Sequence, residues 1–301
     1  MWNLTSRVHR LNHFPSQGVE CYIKRDDELG CGINGSKIRK YASLIPFLKE
    51  KDIRHLIIIA GPQSNNLLAA LQVARESQLQ VTTFLIKPTH SKIQGNFKLS
   101  LLFLRDQEIV WVNREEWHQV NELAERYCST LKEPNYILYE GANVIESMEG
   151  ALSLAKDIVY NERTLGFAFD HVFIDAGTGF SAIALIRGFY ELQHEGLIHV
   201  LLLADDERIF KEKMKCWLGT TSGNYCCFYP TTAKSFGALN HTIKEEIKKL
   251  AYEEGILADP IYSAKLFYET RKYIEKKQLK GKILIIHSGG LLTMAGFNFL
   301  E

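Results

Sequence analysis

An α/β fold, with parallel twisted sheets flanked by helices and divided into two lobes, is what this sequence predicts. Three observations carry the prediction. The runs LIIIA (56–60) and ILII (283–286) are apolar throughout, as strands buried on both faces are. Short apolar runs alternate with longer amphipathic ones along the chain, the pattern of strand–helix–strand crossovers in parallel sheets. The 301 residues, 46% hydrophobic and 24% charged, suffice for a large core of ordinary globular composition.

In chain order, strands are expected over Cys21–Lys24, Leu56–Ala60, Thr82–Ile86, Ile109–Val112, Tyr136–Tyr139, His171–Asp175, Ile198–Ala204, Cys226–Tyr229 and Lys282–His287. Helical spacing marks KIRKYASLIPFLKE after Ser36, then Leu67–Ser77, Glu115–Leu131, Ser147–Tyr160, Ser181–Gln193, His241–Glu254 and Tyr262–Lys276. The small lobe is expected over 45–148. The large lobe is expected over 1–44 and 149–301.

Composition excludes several classes. Lys+Arg number 36 against 35 Asp+Glu, a net charge of +1, so no basic face argues for nucleic acid. No run approaches the ~20 apolar residues of a membrane span, and the start, MWNLTSRVHRLNHF, lacks an apolar signal core. Six cysteines without a CxxC read as reduced thiols of a cytoplasmic protein. Ten scattered histidines, without HExxH or zinc spacing, argue for no metal.

Ligands of such folds sit where strands end and helices begin, so four loops matter. GINGSKIRK (32–40) opens a helix that Asn34 or Ser36 can cap, Gly35 allowing the turn. Its first turn holds Lys37, Arg39 and Lys40, cations that oppose the helix dipole unless an anion reverses the local sign; the alternative is a solvated basic turn. GPQSNN (61–66) places Ser64, Asn65 and Asn66 at a helix N-terminus, which suits a carboxylate or is plain capping. AGTGFS (176–181) combines Gly177 and Gly179 with the hydroxyls of Thr178 and Ser181, a phosphate cradle in general form or a tight turn. HSGG (287–290) places Ser288 at the mouth of a buried strand. GCGING (30–35) matches the dinucleotide fingerprint G-x-G-x-x-G, but acids precede it and no ribose-binding acid ends the next strand.

IKRDDELG, NGSKIRK, GPQSNN, YEGAN, GTGFS, DPIYSAK and IHSGG follow one another in this order from about Tyr22 to Gly290. Together they resemble pyridoxal-phosphate enzymes of the tryptophan synthase β-like fold (fold type II). More narrowly, they are similar to the family of 1-aminocyclopropane-1-carboxylate deaminase and D-cysteine desulfhydrase. The resemblance implies a lyase in which Lys37 forms the Schiff base with pyridoxal 5'-phosphate and Lys40 meets its phosphate. Gly177, Thr178, Gly179 and Ser181 would cradle that phosphate. Asn65 would bond the ring hydroxyl, and Ser288 would lie near the ring nitrogen. Ser64 would contact the substrate carboxylate or act in proton transfer or nucleophilic attack, with Asn65, Asn66 and Phe236 also lining the substrate and Tyr262 as an active-site phenol. With D-cysteine, loss of the α-proton and of the thiolate leads to pyruvate, ammonia and sulfide. A homodimer is also implied. A neutral serine at the ring nitrogen is expected to leave that nitrogen largely unprotonated and to favour elimination over amino-group transfer.

Five departures qualify this, among them Ser-Asn-Asn at the carboxylate loop and a chain somewhat short for the family. Ser36 stands where the family has Asn before the lysine. Phe236, in KSFGALN, stands where a second tyrosine is expected and lacks its hydroxyl. Ser263 stands where ring-opening deaminases carry an acid, which leans toward the desulfhydrase side. The remaining readings are a cyclopropane deaminase, a cofactor-binding protein with little catalysis, and a nicotinamide-dependent oxidoreductase resting on GCGING alone.

Overall fold

The computed structural model describes residues 2–15, 18–30, 35–88 and 93–298. Its strands are β1 (Val8–Arg10), β2 (Val19–Lys24), β3 (His55–Ala60), β4 (Gln80–Ile86), β5 (Ile109–Val112), β6 (Asn135–Leu138), β7 (His171–Ala176), β8 (Leu197–Leu202), β9 (Tyr225–Phe228) and β10 (Gly281–Ile286). Its α-helices are α1 (Ser36–Glu50), α2 (Asn65–Glu76), α3 (Gly95–Ser100), α4 (Val120–Cys128), α5 (Met148–Leu165), α6 (Phe180–Glu191), α7 (Glu207–Leu218), α8 (His241–Glu254) and α9 (Ser263–Lys277).

The chain divides into two compact units, Lys37–Gly150 with Leu292–Glu301, and Trp2–Ser36 with Ala151–Leu291. The first holds a parallel sheet of order β5-β4-β3-β6. Every residue of β3 is buried, and Ile57 and Ile59 pack with Phe84, Val112, Val120 and Ala124. The second holds a sheet of order β1-β2-β10-β7-β8-β9. There Val172, Ile174, Val200, Leu284 and Ile286 pack against α6 through Ala182, Ile183 and Ile186.

Each expected strand forms within two residues of its expected ends. β1 is an addition: VHR is too short for alternation to be legible, and it pairs antiparallel with β2, so this sheet is mixed. Three helix expectations need correction. α5, expected to end at Tyr160, runs on to Leu165. The helix expected over 115–131 is α-helical only over Val120–Cys128. Before it the backbone winds tighter, with Glu116, Trp117 and Gln119 each donating to the carbonyl three residues back. After it, the hydroxyls of Ser129 and Thr130 donate to the carbonyls of Arg126 and Tyr127, so the helix does not continue. Ser36 is the first residue of α1 rather than its cap; Asn34, and most of GCGING, lie outside the described residues.

A buried charge ties β2 to α5. The Lys24 ammonium, fully buried, pairs with Asp157 and donates to Ser6 O (2.7 Å) and Asn161 Oδ1. Removing one partner of such a pair strands the other charge in a medium that solvates it poorly. Lys24→Met is expected to destabilise the fold by about 3–5 kcal/mol, read as a lowered urea midpoint with the slope unchanged.

Candidate active site

In the first unit, α1 begins without an acid in its first turn. Lys37 is half-buried and Lys40 fully buried. The Lys40 ammonium donates to Gly141 O (2.8 Å) and Asn143 Oδ1 (3.3 Å) of the YEGAN segment. Burial, and then the charge of Lys37, push the Lys40 amine well below its usual range.

Ser64 caps α2. Its Oγ accepts from the N–H groups of Asn66 (3.1 Å) and Leu67 (3.3 Å), and two accepted bonds still leave the hydroxyl its proton to donate. Asn65 is pinned: its Oδ1 accepts from Asn96 Nδ2 (2.6 Å) and Thr293 Oγ1 (2.8 Å). With the carbonyl end so occupied, what Asn65 has left to offer is its amide end, a donor. Asn66 points inward instead. It is buried, and its Oδ1 accepts from Tyr41 Oη (3.0 Å).

In the second unit, the turn 177–179 follows β7 and leads into α6. Gly179 sits at the helix N-cap with φ +88°, no side chain caps the helix, and its first turn carries no acid. A helix start of this kind can hold an anion. At Gly179 the positive φ favours glycine and a Cβ would come within 3.2 Å of Phe210; at Gly177 a Cβ would lie 3.0 Å from the Tyr262 ring, which would have to give by a few tenths of an ångström. Lys213 of α7 donates to Thr178 O (3.2 Å) and pairs with Asp205, adding a cation beside the turn. Ser181 is half-exposed in the first turn of α6.

Tyr262 is held by the preceding turn. Asp259 accepts from the N–H groups of Ile261, Tyr262 and Ser263 and from Ser263 Oγ. Ser263 is thus consumed by the turn that presents Tyr262. Burial, then Asp259 and Asp175, push the Tyr262 phenol up, so it stays a neutral donor at physiological pH. Phe236 lies edge-on to Tyr262 at 5.8 Å between ring centres and is 52% exposed. Lys265 donates to Ala233 O (2.7 Å) and Ser235 O (3.1 Å), which fixes the segment carrying Phe236.

The HSGG loop is anchored at both sides. His287 Nε2 donates to Leu257 O (2.7 Å), so Nδ1 is the acceptor for Gly289 N–H (3.2 Å). Ser288 O accepts from Ser36 N–H (3.0 Å). Ser288 Oγ donates to Asp175 Oδ1 (2.7 Å) at the end of β7.

Within the units, then, Tyr262 meets Gly177 and Phe236, and Lys40 lies beside Lys37. Sequence reasoning missed Asn96, Thr293, Lys213 and Asp175. Asn143 was visible only as part of YEGAN. For the others nothing in local spacing signals a role. The residues fit pyridoxal phosphate: the uncapped, glycine-lined start of α6 suits its phosphate, and α1 offers amines at an acid-free helix start.

The fold is that of the tryptophan synthase β-like class, the type II fold of pyridoxal-phosphate enzymes, as its likeness to solved structures shows. In sequence the chain is related to 1-aminocyclopropane-1-carboxylate deaminases and D-cysteine desulfhydrases. It is 26% identical to a mitochondrial bifunctional D-cysteine desulfhydrase/1-aminocyclopropane-1-carboxylate deaminase of Arabidopsis thaliana, over 97% of this chain and 78% of that one. It is 28% identical to a D-cysteine desulfhydrase of Yersinia pestis, over 93% and 89%. Among solved structures, an ACC deaminase homologue superposes with a TM-score of 0.83 at 22% identity, over 97% and 91%. An O-acetylserine-dependent cystathionine β-synthase of Helicobacter pylori gives 0.69 at 14% identity, over the full length of both. No protein-family model matches the chain.

Proposed function

We propose that the chain is a pyridoxal-phosphate-dependent lyase of small amino acids that acts as a D-cysteine desulfhydrase, releasing pyruvate, ammonia and sulfide. The observation that carries this is the start of α1. There a buried amine, Lys40, has lost proton affinity next to a second amine, Lys37, at a helix end that carries no acid. A bound phosphate offsets that cost, and a lysine amine at such a place is the group that links covalently to an aldehyde.

When bound, the cofactor supplies the electron sink for the pair left by a broken Cα–H bond. The chain's residues do the rest. Lys37 holds the aldehyde and takes the α-proton. Lys40 and the turn Gly177, Thr178, Gly179 and Ser181 hold the phosphate. The Asn65 amide donates to the ring hydroxyl, Ser288 faces the ring nitrogen, and Ser64 donates to the substrate carboxylate. Tyr262 is the neutral phenol that donates to the departing sulfur. The reading includes a cytoplasmic homodimer, supported by the cysteine usage and by the family resemblance. Among the described residues no helix is long and apolar enough to cross a membrane.

The test is a panel of D-cysteine, L-cysteine, D-serine and 1-aminocyclopropane-1-carboxylate on the yellow holoprotein. Equal release of pyruvate and sulfide from D-cysteine is expected, and no turnover of D-cysteine overturns the assignment. A second reading, a cofactor-binding protein with little catalysis, is favoured by Phe236, whose ring meets Tyr262 without a hydroxyl. It predicts the yellow band with silence across the panel. The deaminase reading also fits the relatives' names, and at Ser263, bound to Asp259, no acid stands where ring-opening deaminases carry one.

Thr293 and Asn96 serve Asn65 in this scheme. Thr293→Val removes one of the two donors that orient the Asn65 amide. It is expected to weaken cofactor binding by about 1 kcal/mol, measured by equilibrium dialysis of the phosphate ester. Unchanged affinity would remove Thr293 from the site.

A further inference from the structure

Ser288 does not present a free hydroxyl. Its Oγ lies 2.7 Å from Asp175 Oδ1. A carboxylate only accepts, so the serine proton is committed to Asp175, and a hydroxyl has one proton to give. What Ser288 Oγ offers any further partner is lone pairs. A second acceptor placed there meets repulsion; a donor is required. The geometry is over-determined by the fold. Asp175 stands at the end of β7, in register with Leu201 of β8. Ser288 is held through its own carbonyl by Ser36 N–H and through the loop by His287 and Gly289.

We propose that Asp175 and Ser288 form a relay that accepts a hydrogen bond from a protonated heteroaromatic nitrogen, so that the ring of the bound cofactor is held as a pyridinium. The inference rests on the cofactor reading above and assigns Asp175 a positioning role that no local motif signals. It reverses the expectation drawn from Ser288 alone. An isolated serine can donate to an unprotonated nitrogen, whereas a serine already donating to a carboxylate cannot. The Asp175 charge, one hydroxyl away, further favours the positive ring. The titratable groups around the relay are consistent with this role. Tyr262 is kept neutral, and the Asp259 carboxylate is engaged by its own turn. His287 is engaged by Leu257 O and Gly289 N–H.

The test uses full-length holoprotein loaded with pyridoxal phosphate that carries an isotope-labelled ring nitrogen, read by nitrogen NMR. In the wild type at neutral pH the resonance is expected at the protonated position. In Asp175→Asn and in Ser288→Ala it is expected to move toward the unprotonated position, reflecting a fall of about tenfold or more in the proton affinity of the nitrogen. The borohydride-reducible visible band should persist in all three proteins, because Lys37 is untouched. An unprotonated resonance in the wild type overturns the proposal whether or not the variants fold. So does a resonance unmoved in a folded Asp175→Asn with its visible band intact. Failure of the cofactor reading looks different: wild-type protein then shows neither bound label nor visible band, and both ideas fall together.

Discussion

Lys37→Ala is expected to abolish turnover of D-cysteine and the borohydride-reducible visible absorption together. Lys37 stands one helical turn before Lys40 on α1 and is assigned both the covalent hold on the aldehyde and the removal of the α-proton. Proton transfer by a placed side chain contributes about 10²–10⁴-fold by itself, so a loss of roughly 10³-fold or more in kcat is the expected result. Lys40→Ala is the control. It removes an ammonium bonded to Gly141 O and Asn143 Oδ1 and is expected to lower cofactor affinity while sparing the covalent link. A Lys37→Ala protein whose bound chromophore is still reduced onto a lysine by borohydride would show that another amine carries the bond.

Gly35→Ala is expected to be among the most damaging single-methyl additions to this chain. Gly35 has φ +73°, a region in which a Cβ costs roughly 1–2 kcal/mol. Its added Cβ would lie 1.8 Å from Ser288 O and 2.6 Å from Ser288 C. Those atoms are backbone and cannot rotate away, so Ser288 or the start of α1 must shift, at a further cost of about 1–3 kcal/mol. The bond from Ser36 N–H to Ser288 O is lost in either case. A fall of about 2–5 kcal/mol in unfolding free energy, seen in urea titration, should accompany weakened cofactor binding. A midpoint equal to that of the wild type would mean that the loop does not pack on Ser288.

How much of this was legible in the sequence varied by residue. The nine expected strands were legible because β3 and β10 carry continuous apolar runs, which few other environments accept. The candidate loops were legible because each interrupts such a pattern with glycine or a capping residue. Local competition hid the rest. Ser129 and Thr130 have helix-compatible spacing, yet their hydroxyls bond carbonyls of the last turn and end α4 early. Ser263 is a missing acid when viewed within DPIYSAK; in the fold it is the partner of Asp259 and belongs to the turn. Asn66 reads as a third polar group at the carboxylate loop, but helix periodicity turns it inward onto Tyr41.

Local order along the chain determined the fold class, the strand sequence and the loops that carry chemistry. Each depends on residues a few positions apart, where periodicity and capping act. Tertiary structure alone decided the orientation of the polar groups on those loops. Asn65 is set by Asn96, 31 residues away, and by Thr293, 228 away. Ser288 is turned from donor to acceptor by Asp175, 113 residues away. The physical reason is that a hydrogen bond has direction and a hydroxyl a single proton. Which atom a side chain offers is therefore settled by its other partner, and that partner is chosen only when segments distant in the chain are brought together.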